Sequence, residues 1–147
     1  MASTRDIASR PDPGHTLLAG DQAVRTLGIT VEVPALGIAT ARMTTSADMG
    51  NGHGIVHGGY VFTLADTAFA YALNSHGRPG MTVHADVAFL RPARVGTDLA
   101  ANATERVFDG RAGIYDVAVR DDEGALLAEV RIHCRIPAVK ADPGEAR

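Results

Sequence analysis

Between His57 and His76 the chain reads GGYVFTLADTAFAYALNS, and Asp66 is the only formal charge in that stretch. Phe62, Leu64, Phe69 and Leu73 fall on different sides of it at helical spacing. A helix that is apolar all round is a buried helix. Gly77, Pro79 and Gly80 follow it, so the spacing predicts one long helix over residues 58–75. Such a helix is expected to run across the concave face of a sheet and to be covered elsewhere by another surface.

Those segments alternate with a period of two. Residues 29–33 read Ile-Thr-Val-Glu-Val, a half-buried strand; residues 34–37 are the predicted turn and 38–44 the returning strand. Residues 46–55 form a glycine-rich loop before the helix. After it, residues 81–90 carry Val83, Ala85, Val87 and Phe89 on one face, and residues 97–107 make a second run. Residues 112–120 alternate through Tyr115, Val117 and Val119, and DDEG at 121–124 makes a turn. Residues 126–136 point Val130, Ile132, Cys134 and Ile136 inward and Glu129, Arg131, His133 and Arg135 outward. A short helix is expected within residues 15–27, and loose tails at about 1–13 and 138–147. A hairpin, one long helix and then three or four antiparallel strands is an α+β layer arrangement, and 147 residues make one domain of it.

Composition excludes several classes. The net charge of −3 lacks the clustered basic surplus of a nucleic-acid binder. Trp is absent and aromatic residues are 5%, so the core is built of Ala, Val, Leu and Ile. One cysteine, Cys134, excludes an internal disulfide and a thiolate zinc cage. No apolar leader or membrane-length span is visible, and a cytoplasmic protein without membrane contact is expected.

Two features carry chemistry. A carboxylate at Asp66 among Phe62, Thr63, Phe69 and Ala70 is costly unless it is paired, hydrogen-bonded or functional. It reads either as a catalytic base or nucleophile, or as a structural group bonded to Thr63 or the backbone. His57-Gly58-Gly59 opens the helix, where free N–H groups and the positive end of the dipole meet. That entry suits an oxyanion donor for a thioester carbonyl, and equally an ordinary glycine-rich helix start. Gly58 and Asp66 are eight residues apart, or about 12 Å along the axis. One helix therefore cannot bring both to one carbonyl. Two antiparallel copies can, which predicts a two-fold dimer with shared sites.

The stretch Asn51-Gly-His-Gly-Ile-Val-His57-Gly58-Gly59, followed by Phe62-Thr-Leu-Ala-Asp66 and Asn74-Ser75, resembles the hot-dog-fold thioesterases, and within them the phenylacetate-pathway (PaaI) type. Ala85-Asp-Val-Ala-Phe-Leu-Arg91-Pro-Ala93, with Gly96 beyond, fits the strand and loop that follow in that family. The resemblance implies a curved antiparallel sheet wrapped round the long helix, and homodimers that pair into homotetramers. It implies acyl-CoA substrates, phenylacetyl-CoA and its ring-hydroxylated relatives first, hydrolysed to free acid and CoA. It also implies that Asp66 is the catalytic acid, Gly58 the oxyanion donor, His57 the residue beside it, and Asn51 the loop amide orienting water or the thioester. Thr82 falls where some relatives carry a hydroxyl near the water, although strand parity turns it away from the core face that holds Val83 unless the strand start is twisted.

No metal is expected, and no cofactor apart from the CoA carried by the substrate. His53 and His57 have the i, i+4 spacing of a metal pair but no third ligand. Gly59 and Tyr60 are candidate substrate-binding residues at the helix start. Arg91 and Arg94 are candidates for the CoA phosphates, or else solvated loop charges. Cys134 reads as core, not nucleophile. A hot-dog hydratase or dehydratase acting on acyl thioesters and a non-catalytic acyl-CoA-binding module are the competing functions.

Overall fold

The computed structural model describes residues 19–138. A short helix α1 spans Gln22–Leu27; Asp21 caps it by accepting from the Val24 N–H at 3.1 Å. The strands are β1 Thr30–Ala35, β2 Ile38–Thr44, β3 Met81–Phe89, β4 Asp98–Phe108, β5 Ala112–Asp121 and β6 Leu126–Arg135. A 3-10 turn at Ala47–Met49 and the long helix α2, Gly58–Asn74, lie between β2 and β3. The first part of the helix expected over 15–27, and both expected tails but for residue 138, lie outside the described residues.

All six strands form one antiparallel sheet in the order β1-β2-β4-β5-β6-β3. The expected α+β architecture is therefore present: a single sheet with one long helix on it. Side-chain size explains where the helix sits. It packs chiefly on β2 and β4, where Ala39, Ala41, Ala101 and Ala103 are fully buried. Leu64, Ala65, Ala68 and Ala72 of the helix are fully buried as well. Small residues on both surfaces bring the helix close to the sheet, and the larger Tyr115, Val117, Val119 and Ile132 fill the space beyond. The rings of Phe69 and Tyr115 meet edge to face at 5.2 Å.

Polar groups tie down the far end of α2. The Ser75 hydroxyl accepts from the Gly37 N–H at 2.8 Å. Glu105 receives the Tyr115 hydroxyl at 2.7 Å and pairs with His76 Nε2 at 2.5 Å. Tyr71, one turn earlier, has a buried hydroxyl with no hydrogen-bond partner among the described residues. Burial, reinforced by the charge of Asp21, pushes its pKa up to about 12.

Two expectations need correction. The predicted turn at 34–37 begins too early: β1 runs through Pro34 to Ala35, with a pairing irregularity between Glu32 and Ala35. Proline is tolerated there because β1 is an edge strand whose outer N–H groups need no ladder partner. Second, Val83 does not share the inward face of Ala85, Val87 and Phe89, and Thr82 does not point away from the helix. Thr82 pairs with Cys134 and His84 with His133, so Val83 is the extra residue of a β-bulge and is 54% exposed. The helix is not covered on every side by its own chain. Phe62, Thr63, Asp66, Thr67 and Ala70 form a half-buried stripe along it.

Candidate active site

The helix entry is built by its own backbone chemistry. His57 is the N-cap, with φ −59° and ψ 133°, and its Nδ1 accepts from the Gly59 N–H at 3.3 Å. The Tyr60 N–H turns back to the His57 carbonyl at 3.0 Å. The Gly58 N–H takes no acceptor among the described residues. His57 thus uses up one of the orphan donors of the helix terminus and leaves Gly58 open to an incoming oxygen.

A residue missed in the sequence stands beside it. A Cβ added at Gly58 would lie 3.2 Å from Cε1 and Cζ of Phe89. Phe89 pairs with the buried Ala128, so it faces the helix side of the sheet, yet it is 57% exposed. Strand alternation puts Phe89 on this face. Nothing local in the sequence says which helix residue it meets.

Asp66 lies two turns further along, half-buried on the open stripe of α2. Its Oδ1 accepts from the Thr82 hydroxyl at 2.9 Å. The structural alternative, a bond from Thr63, is not what forms: the Thr63 hydroxyl donates to Gly59 O at 2.9 Å, and that of Thr67 to Thr63 O at 2.7 Å. The stripe therefore offers methyl groups, the Phe62 ring and one carboxylate.

The loop before the helix is stitched to the loop after β3. Val56 N–H donates to Ala93 O at 2.9 Å and Ile55 bridges to Arg94, while His57 N–H closes the first loop on itself at Met49 O, 2.7 Å. The Asn51 side-chain oxygen accepts from His53 N–H at 2.9 Å and Ile55 N–H at 3.4 Å. That oxygen shapes its own turn, and the amide NH₂ has no acceptor among the described residues. Arg91 donates to Leu126 O at 2.9 Å, and Arg94 lies 3.7 Å from Glu123; both are exposed. Tyr60 is half-buried and packs on the core, whereas Gly59 is exposed. Among the described residues, no three His, Cys, Asp or Glu side chains gather into a metal-binding group. No helix among them is long and apolar enough to cross a membrane.

The structure thus joins Asp66 to Thr82 and Gly58 to Phe89, and ties the Asn51 loop to the Arg94 loop. It does not join Gly58 to Asp66 within one chain. A family model described as the thioesterase superfamily matches residues 53–128, which contain both halves.

This chain belongs to the thioesterase superfamily.

This thioesterase, a thioester hydrolase with the hot-dog fold, is 38% identical over 117 residues to the acyl-coenzyme A thioesterase PaaI of Escherichia coli K12, covering 80% of this chain and 84% of that protein. It superimposes on the structure of the E. coli PaaI protein from the phenylacetic acid degradation operon with a TM-score of 0.83 at 35% identity, over 86% of this chain and 91% of that one. The TT0310 protein of Thermus thermophilus matches with a TM-score of 0.75 at 32% identity, over 80% of this chain and 98% of the other. The expected family, its PaaI type and its fold all hold.

Proposed function

We propose that this thioesterase hydrolyses aryl-acetyl thioesters of coenzyme A, phenylacetyl-CoA and its ring-hydroxylated forms first, at sites shared between two copies of the chain. The similarity to PaaI supports the acyl-CoA class. The observation that carries the shared site is the open stripe of α2, an apolar surface with the Asp66 carboxylate at its middle. Asp66 and the unoccupied Gly58 N–H are separated by about 12 Å of helix. An antiparallel partner helix laid on the stripe brings the Asp66 of one chain to the Gly58 of the other. Strand β3 favours the same association: it is a sheet edge with Met81, Val83 and Phe89 more than half exposed. Dimers then pair into tetramers.

In this reading the carbonyl oxygen accepts from Gly58 N–H, whose position at the helix start favours the negative charge of the tetrahedral transition state. Asp66, steered by Thr82, takes a proton from water as it attacks, or attacks the carbonyl itself to give a mixed anhydride that water then opens. The C–S bond breaks, a C–O bond forms, and the thiolate leaves as CoA thiol after taking up a proton. Asn51 orients the water or the thioester, His57 keeps the helix entry in shape, and Gly59 and Tyr60 border the substrate. Arg91 and Arg94 meet the CoA phosphates. The reaction needs no bound metal and no cofactor.

Complementation tests the shared site. Asp66→Asn removes the acid and should lower turnover at least about 10²-fold. Gly58→Pro deletes the donor at a helix position that accepts proline, and the extended backbone of His57 before it suits that residue; the exposed Phe89 ring, 3.2 Å from the added Cβ, has to give way, so folding and dimer formation of this variant are checked by circular dichroism and gel filtration. Co-folding the two inactive variants should restore about one quarter of wild-type activity, because half of the dimers then contain one intact site of two. No recovery on mixing, with both variants folded and mixed dimers present, would rule out sites shared between chains. Product formation read as free thiol separates hydrolysis from hydration of the acyl chain.

A further inference from the structure

We infer that Phe89 sets the acyl preference of this enzyme by forming the wall against which the acyl group of a bound thioester lies. The inference rests on the proposed reading that Gly58 holds the thioester carbonyl. Phe89 supplies the three atoms nearest the open Cβ position of Gly58: its Cε1 and Cζ stand 3.2 Å from where that Cβ would be. A carbonyl oxygen accepting from Gly58 N–H lies about 2.9 Å from that nitrogen. In this reading a group attached to its carbon lies against the ring at van der Waals distance, about 4 Å.

Two arms leave that carbon. The CoA arm is a chain of amides ending in phosphates, which require water and cations. The acyl arm is apolar and is the one an aromatic face rewards. Phe89 has the surface to receive it, since its ring points to the helix side of the sheet with more than half its area open. The neighbouring geometry also holds the ring in register. Phe89 pairs with Ala128, and Leu90 N–H and Arg91 N–H both donate to Leu127 O, at 2.8 and 3.2 Å. An aryl acyl group gains from such a ring through offset or edge contacts beyond its buried area. An alkyl group of similar length gains less.

The carbonyl donor and the acyl wall therefore come from one chain, Gly58 with Phe89, and the acid with its positioning hydroxyl from another, Asp66 with Thr82. Specificity and proton transfer are carried by opposite sides of the shared site.

The experiment compares kcat/KM for phenylacetyl-CoA and hexanoyl-CoA in the wild type, Phe89→Leu and Phe89→Tyr, with the oligomeric state of each checked by gel filtration. Phe89→Leu should reduce the ratio of aryl to alkyl kcat/KM about tenfold, and Phe89→Tyr, which keeps the ring, should preserve it. An equal loss on both substrates, or an unchanged ratio in Phe89→Leu, overturns the inference: the ring would then only support the helix entry or the subunit contact. Absence of thiol release from every CoA ester in the wild type would overturn the proposed function itself, and this inference with it.

Discussion

The Thr82 hydroxyl donates to the Asp66 carboxylate at 2.9 Å across the gap between β3 and α2, and an extra residue in the strand, Val83, turns Thr82 to that side. The bond fixes one carboxylate oxygen and leaves the other free to face water or a substrate. Thr82→Val keeps the shape of the side chain and removes the donor. It should lower kcat on the order of tenfold with KM little changed, since a hydrogen bond to a charged group is worth about 1.5–3 kcal/mol. Thr82→Ser should recover most of the loss. An unaltered kcat in Thr82→Val would mean that Asp66 needs no positioning from the strand.

Tyr71 and Tyr115 should respond in opposite ways to loss of the hydroxyl. The Tyr115 hydroxyl serves Glu105, which also holds His76 at the end of α2. Tyr115→Phe strips a half-buried carboxylate of a donor and should cost about 1–2 kcal/mol. The Tyr71 hydroxyl is buried without a partner among the described residues, so Tyr71→Phe should leave stability within about 0.5 kcal/mol or raise it. Urea unfolding of both variants at one protein concentration gives the comparison, and a large loss in Tyr71→Phe would reveal a partner outside the described residues.

Cys134 lies in the core, and burial, the largest influence on it, pushes its thiol pKa up. The thiol should not react with a disulfide reagent in the folded enzyme at neutral pH, and should titrate as one group per chain after denaturation. A thiol-release assay then carries no background from the protein. Rapid native labelling would show that β6 opens on the time scale of the assay.

Asp116 sits on the outer face of the sheet, and the hydrogen bonds from Arg131, at 2.8 and 3.0 Å, hold its carboxyl below the usual range. A carboxylate lowered in the folded state adds stability above its unfolded value of about 3.9, and loses it as pH falls through the folded value. Asp116→Asn should therefore be less stable than the wild type at neutral pH, and the difference should vanish in acid. Partial exposure and salt keep the effect small. A series of thermal melts from pH 7 downward checks it: the deficit should shrink as pH falls, and one that stayed constant across the series would be assigned to packing.

How much of this was legible in the chain differs by feature. The long helix was readable to within a residue, because its apolar run and the glycines and proline after it are local signals. The strands after it were readable because alternation is local too: Tyr115, Val117, Val119, Val130, Ile132 and Cys134 all face the core as their spacing predicts. Pro34 misled because a proline marks a turn unless the strand is at an edge, and edges are a property of the whole sheet. Asp66 stood out as a charge where burial makes charges costly.

The sequence by itself determined the element order, the buried faces of β5 and β6 and the candidacy of Asp66 and the His57-Gly58-Gly59 entry. Each depends only on neighbours within a few positions along the chain. Tertiary structure decided that Thr82 reaches Asp66, that Phe89 lies on Gly58, and that one stripe of α2 stays open. Those are contacts between distant segments, set by sheet register and by a bulge with no glycine or proline to announce it. A single slipped residue moves a side chain to the other face of a sheet, and composition carries no record of that slip.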